Sequence, residues 1–158
     1  MLKIPRQVSV MISIVFCVLI ILMLIAGAIY MPTLVRLLLE LPDTVGHRGE
    51  AVTNFAIVFC TAVSYMILAL AAITDALLLV LLFEVRQGRV FMAKSIACTR
   101  FISWCAMGFC LLFLSLGYYF VLSYVVAFAA LFVGVVIRVV KNALEEAMTL
   151  KSENDLTI

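Results

Sequence analysis

Charge is what this sequence lacks most. Only 13% of its residues are charged, against 67% hydrophobic, and the mean hydropathy is +1.30. A water-soluble domain carries ~25% charged residues, so this chain has too little charge to cover a soluble surface. Histidine is almost missing: His47 stands alone, near Asp43 and Glu50, with Gly46 and Gly49 opposing a regular helix around it. No nucleophile, base and orienting group can be assembled there, and one imidazole with two loop acids is a weak metal signal. The five cysteines (Cys17, Cys60, Cys98, Cys105 and Cys110) include no C-x-x-C pair. Cys98 and Cys105 share a helical face, but two turns place them about 10 Å apart, beyond disulfide reach. All five are expected as small apolar packing residues, because the spacing of a thiolate cluster is missing. No catalytic, cofactor or metal residue is assigned.

What is present is a set of long apolar runs. A bilayer core needs roughly 20 apolar residues as helix, and helix satisfies the backbone where water is absent. The alternating pattern of a membrane barrel does not occur. The first run spans about 8–31, with Pro32 closing it. A cleaved signal peptide is the alternative there, given Lys3, Arg6 and the Ala26-Gly27-Ala28 triplet, but the run exceeds the ~7–15 residues of such a segment. The second run, about 54–83, has one interior charge, Asp75. No charge lies between Arg100 and Arg138, a stretch suited to two crossings at 101–116 and 122–137, turning at Leu116-Gly117-Tyr118-Tyr119. The chain reads as a single domain over 1–158, without internal repeat or linker. The expected fold is all-α: an integral membrane four-helix bundle.

Four spans put both termini on one side. Lys3, Arg6, Arg86, Arg89, Lys94, Arg100, Arg138, Lys141 and Lys151 fall on that side, and only Arg36 and Arg48 on the other. The positive-inside rule makes the first side cytoplasmic, N-in and C-in. Topology and anionic lipid account for the basic face, so no direct nucleic-acid contact is expected. On the other side, Leu34–Leu41 reads as a short interfacial helix with Arg36 and Glu40 spaced for an ion pair.

Asp75 is the leading intramembrane candidate, since an ionisable residue inside a span is costly and indicates function by default. Nine residues before Glu84, it lies about 13 Å from that residue along the helix, off the bilayer centre. Ser64, Leu68, Ala71 and Asp75 make one helical face suited to helix packing. Expected partners are Ser103, Trp104, Arg100 and Arg138. A structural hydrogen bond or ion pair is one reading; a proton or cation site, or a protonation-sensitive switch, is the other. A lone acid gives little support to a proton relay.

Two cytoplasmic segments look suited to partners. One is the loop with Arg86, Arg89 and Phe91 around Gly88, where lipid contact is favoured and glycines are too few for a phosphate-binding loop. The other is the tail, 138–158, expected as a cytoplasmic amphipathic helix extension. Val140, Ala143, Leu144, Ala147 and Met148 follow helical spacing, with Lys141, Asn142, Glu145 and Glu146 on the polar side. Helix is expected to end near Ser152-Glu153-Asn154-Asp155. The acidic stripe opposes anionic lipid, which favours a protein contact through Glu145, Glu146, Glu153, Asn154, Asp155, Leu156, Thr157 and Ile158. The ending with Leu156 and Ile158 also suits addition to a partner's strand.

The tail, Arg138 through Ala147 and then Leu150-Lys151-Ser152-Glu153-Asn154-Asp155-Leu156-Thr157-Ile158, resembles the ending of a large family of small bacterial four-helix membrane proteins catalogued only as a domain of unknown function. Glu-Asn-Asp-Leu-Thr-Ile is the most specific element. A second match is Glu84 through Ile102, where Gly88-Arg89-Val90-Phe91 stands for the family's Gly-x-Pro-Phe loop, with Val90 replacing proline. The resemblance implies the membrane half of a two-gene unit with a small helix-turn-helix regulator of the Cro/repressor type.

The expected function is therefore a non-enzymatic, multi-pass protein of the bacterial plasma membrane that docks or sequesters such a regulator. The alternative is a small transporter, channel or immunity-type protein conferring tolerance to a membrane-active compound, with Asp75 lining a polar path in a homo-oligomer.

Overall fold

A computed structural model describes residues 6–40, 54–87 and 93–155, with side chains at 10–40, 54–87 and 95–150. The described chain is helical apart from turns: α1 (Arg6–Glu40), α2 (Asn54–Arg86), α3 (Ala93–Leu116) and α4 (Leu122–Asp155). All four helices are long and apolar enough to cross a membrane. With 35, 33 and 34 residues, α1, α2 and α4 are longer than the ~20 residues a crossing needs.

The helices pack in chain order: α1 on α2, α2 on α3, and α3 on α4. Among the described residues α1 and α4 are not in contact, so the helices form a folded row with α3 inside it. Most large apolar side chains of α1 and α4 are correspondingly exposed, as lipid-facing residues are. Near the α3–α4 turn, Val35 and Leu39 of α1 meet Ala56, Cys60 and Val63 of α2 and Leu116 and Tyr119. That cluster joins α1, α2 and the end of α3.

Small residues set the closest approach. Ser103, Ala106 and Cys110 of α3 and Ser123, Ala127 and Gly134 of α4 are buried. A Cβ on Gly134 would lie 3.2 Å from that of Ala106, so glycine lets the two backbones come together. Ser103 Oγ uses this proximity to donate to the Gly134 carbonyl at 3.1 Å, the kind of cross-helix bond that joins helices in lipid. The turn lies where the sequence places it. Gly117 N–H donates to the Phe113 carbonyl at 3.0 Å and Tyr119 N–H to that of Leu116 at 2.9 Å. Gly117 matters there for space, because a side chain would run into the Tyr124 ring.

Pro32 does not end α1, which continues to Glu40. The expected separate helix over Leu34–Leu41 is instead the last part of the same rod as far as Glu40. Proline has no N–H to give the carbonyl four residues back, and in the middle of a helix this normally kinks or breaks it. Here that carbonyl belongs to Ala28, and the Tyr65 hydroxyl of α2 donates to it at 3.1 Å. A neighbouring helix thus supplies the partner that the sequence withholds, which is how proline is tolerated in spans.

In the tail, α4 runs unbroken from Leu122 to Asp155, and its end falls within Ser152–Asp155, where helix was expected to stop.

Tyr65→Phe is expected to destabilise the protein by about 1–3 kcal/mol by orphaning the Ala28 carbonyl. In a Pro32→Ala background, where an N–H returns, the same change should cost much less. Unfolding in mixed micelles of all four species gives the coupling; additive effects would show that Tyr65 does not serve Pro32. Gly134→Leu should cost roughly 1–3 kcal/mol by overpacking the α3–α4 contact; an unchanged unfolding midpoint would contradict that contact.

Candidate functional site

Asp75 lies on α2 and is only 3% exposed. Its face follows the expected spacing: Ser64, Leu68 and Ala71 are half-buried above it. Leu68 is turned to α1 at Gly27, and Leu70, from a neighbouring face, to α3 at Gly108. Among the described residues neither Asp75 carboxylate oxygen has a partner at full hydrogen-bond geometry. The adjacent Thr74 spends its hydroxyl on its own helix, donating to the Leu70 carbonyl at 2.8 Å. Cys17 of α1 is the titratable group that interacts electrostatically with Asp75. The thiol is close enough for a weak hydrogen-bonding interaction with the carboxylate as well, although neither oxygen has a partner at full hydrogen-bond geometry. A buried polar group without a partner costs about 1–3 kcal/mol. The carboxylate is thus available to a donor or cation that a ligand brings.

The four partners expected for Asp75 instead join α3 to α4. Ser103 bonds to Gly134. Arg100 Nη2 lies 3.1 Å from Glu145 Oε1. Arg138 stacks its guanidinium over the Trp104 ring, 5.8 Å from the centroid. Side-chain chemistry suited these residues to Asp75, but α3 presents Ser103, Trp104 and Arg100 on the face that carries α4, and Arg138 of α4 meets Trp104 there.

They form a second constellation with Lys141, which reaches the other Glu145 oxygen at 2.7 Å. Glu145 therefore binds one cation on α3 and one on its own helix. The Lys141 hydrogen bond holds the Glu145 carboxyl below its usual range against desolvation, with Arg100 adding to the lowering. Glu145, expected to face a partner protein, is thus engaged in clamping the base of the tail to α3.

Of the remaining expected docking residues, Arg86 and Glu146 are exposed. Glu153, Asn154 and Asp155 continue α4 as backbone helix, while Arg89, Phe91, Leu156, Thr157 and Ile158 lie outside the described residues, as does His47. Cys17, Cys60, Cys98 and Cys110 are buried thiols, Cys105 is half-buried, and none is in a disulfide. Among the described residues no group of three or more His, Cys, Asp and Glu side chains is placed to hold a metal. At the level of the ion cluster an apolar groove of about 290 Å³ runs between α2, α3 and α4, lined by Leu78, Thr99, Ile102, Val136 and Val140 among others.

Sequence reasoning missed Tyr65 and Cys17 as members of polar contacts. Tyr65 was signalled only indirectly, since Pro32 implies an orphan carbonyl at Ala28. Nothing in the sequence pairs Cys17 with Asp75.

No family model, curated protein or solved structure matches the chain.

Because Asp75 gives up no internal partner, Asp75→Val is expected to raise stability in mixed micelles by about 1–3 kcal/mol. A loss of similar size would reveal that the carboxyl is bonded within the fold.

Proposed function

We propose that this is a non-enzymatic regulatory protein of the bacterial plasma membrane, with both termini cytoplasmic, that docks or sequesters a small helix-turn-helix transcriptional regulator. The observation that carries this reading is the continuity of α4. From Arg138 to Asp155 it adds 18 residues to the uncharged crossing, or about 27 Å of helix. An unbroken helix transmits a displacement of the bundle directly to its end, whereas a loosely joined tail would not. The charge bias of the loops supports the orientation, and the resemblance of the Glu153–Ile158 ending supports the class of partner.

With Glu145 held by Arg100 and Lys141, the docking surface in this reading lies farther out. Glu146 begins it, Glu153, Asn154 and Asp155 extend it, and Leu156, Thr157 and Ile158 complete it. Arg86, Arg89 and Phe91 supply a second cytoplasmic contact. The row of helices, with α1 and α4 both free to meet a second copy, also accommodates a homo-oligomer.

A transporter or tolerance protein is the second reading, favoured by the unpartnered Asp75 carboxylate. A carboxylate kept buried without a bond suits a site that receives a cationic or hydrogen-bonding solute. Four helices in a row enclose little space, so this reading requires oligomerisation.

Affinity capture from solubilised membranes distinguishes the two, comparing full-length protein with a version ending at Lys151. Recovery of a small DNA-binding protein by the full-length chain alone is the expected result. Equal recovery by both, or an unchanged transcriptional readout after the deletion, would sink the docking proposal. Asp75→Asn should leave this capture intact while abolishing any transport or tolerance.

A further inference from the structure

The residues that clamp the tail to α3 also make a face with excess positive charge at a defined depth. Arg100 and Trp104 lie one turn apart on α3; Arg138, Lys141 and Glu145 follow at helical spacing on α4. The contacts between them show that all five share one side of the hairpin. Arg100 lies 16 residues before the end of α3 at Leu116, and Arg138 lies 16 residues after the start of α4 at Leu122. Both are therefore about 24 Å along their helices from the turn. The two guanidinium groups emerge at one level, where the uncharged crossing ends and headgroups begin.

Three cations at that level face one carboxylate, and counting Glu146 on the adjoining flank still leaves positive charge in excess. Among the described residues, Arg138 forms no ion pair; its guanidinium lies over the ring of Trp104, a residue 59% exposed. The Arg100 side chain is 58% exposed. Toward the turn, Leu111 and Leu131 are exposed on the same side of their helices, continuing an apolar track from Trp104. A cationic head with an aromatic edge and an apolar track has the layout of an anionic amphiphile. Basic pockets between membrane helices on the cytoplasmic side bind such headgroups.

We propose that this face binds an anionic phospholipid, its phosphate on Arg100, Arg138 and Lys141 and an acyl chain along Trp104, Leu111 and Leu131. The headgroup competes with Glu145 for Arg100 and Lys141. Occupancy therefore loosens the base of the tail from α3, making local membrane charge the signal that reaches the docking segment. The lipid site stands independently of the regulator; only its consequence for the tail rests on the docking reading.

Trp104 is the only tryptophan in the chain, so its fluorescence reports this face directly, with no partner present. Full-length protein in neutral micelles would be titrated with phosphatidylglycerol, phosphatidylcholine of the same chain length, and inorganic phosphate. A saturable emission change with phosphatidylglycerol alone is expected. Arg100→Gln with Arg138→Gln should raise the half-saturation concentration about tenfold or more, since each cation near a charged lipid surface matters appreciably. Lys3→Gln with Lys151→Gln, the same charge removed elsewhere, should change it far less. Glu145→Gln should lower it, by freeing two cations from their competitor. An equal response to phosphatidylcholine or free phosphate overturns the site. So does an equal loss in the Lys3/Lys151 variant, or weaker binding in Glu145→Gln. Because this titration uses no regulator, its failure is distinguishable from failure of tail-dependent capture.

Discussion

Four runs long and apolar enough to cross a membrane put one constraint first: inside hydrocarbon no water completes a backbone hydrogen bond. It makes helix the only economical form for the four apolar runs. It also explains the irregular points. Pro32 removes one N–H in mid-helix, and the fold compensates from α2, where the Tyr65 hydroxyl donates to the Ala28 carbonyl. At Gly134 the α3 and α4 backbones approach closely enough for Ser103 to bond across. Asp75 stands out against this background, because its buried oxygens receive no such bond.

The two ends of the row are held by different physics. Near the turn, apolar side chains of α1 and α2 pack around Leu116 and Tyr119. At the other end of the hairpin, α3 and α4 are joined by charge, with Glu145 between Arg100 and Lys141 and Arg138 over Trp104. Packing of that first kind is insensitive to salt and headgroup charge. An exposed ion cluster responds to both. The charged end of the hairpin is also where the uncharged run of α4 gives way to its charged segment, so the responsive contact and the proposed docking segment belong to one rod.

Much of the architecture was legible in the sequence. The spans at 54–83, 101–116 and 122–137 agree with the helices to within a few residues at their common ends, because absence of charge over membrane length is a signal needing no tertiary context. The α3–α4 turn was legible for the same reason, marked by Gly117 inside an uncharged stretch too long for one crossing. The candidate site was legible only in part. Asp75 announced itself as the single charge within a run, and the face through Ser64, Leu68 and Ala71 is turned inward as its spacing implied. Its expected partners were misassigned. Ser103, Trp104, Arg100 and Arg138 have the right chemistry, and chemistry alone does not say which helix a face will meet.

Composition, charge placement and run length by themselves determined that this chain makes four helices able to cross a membrane, and where most of them begin and end. These are properties of each segment against its solvent, so each run carries its own answer. Only the tertiary structure decided that α1 continues through Pro32 and that Glu145 clamps the tail while Asp75 is left without a bond. Each of those outcomes depends on a side chain from a different helix, and pairing between helices is a relation that no single segment encodes.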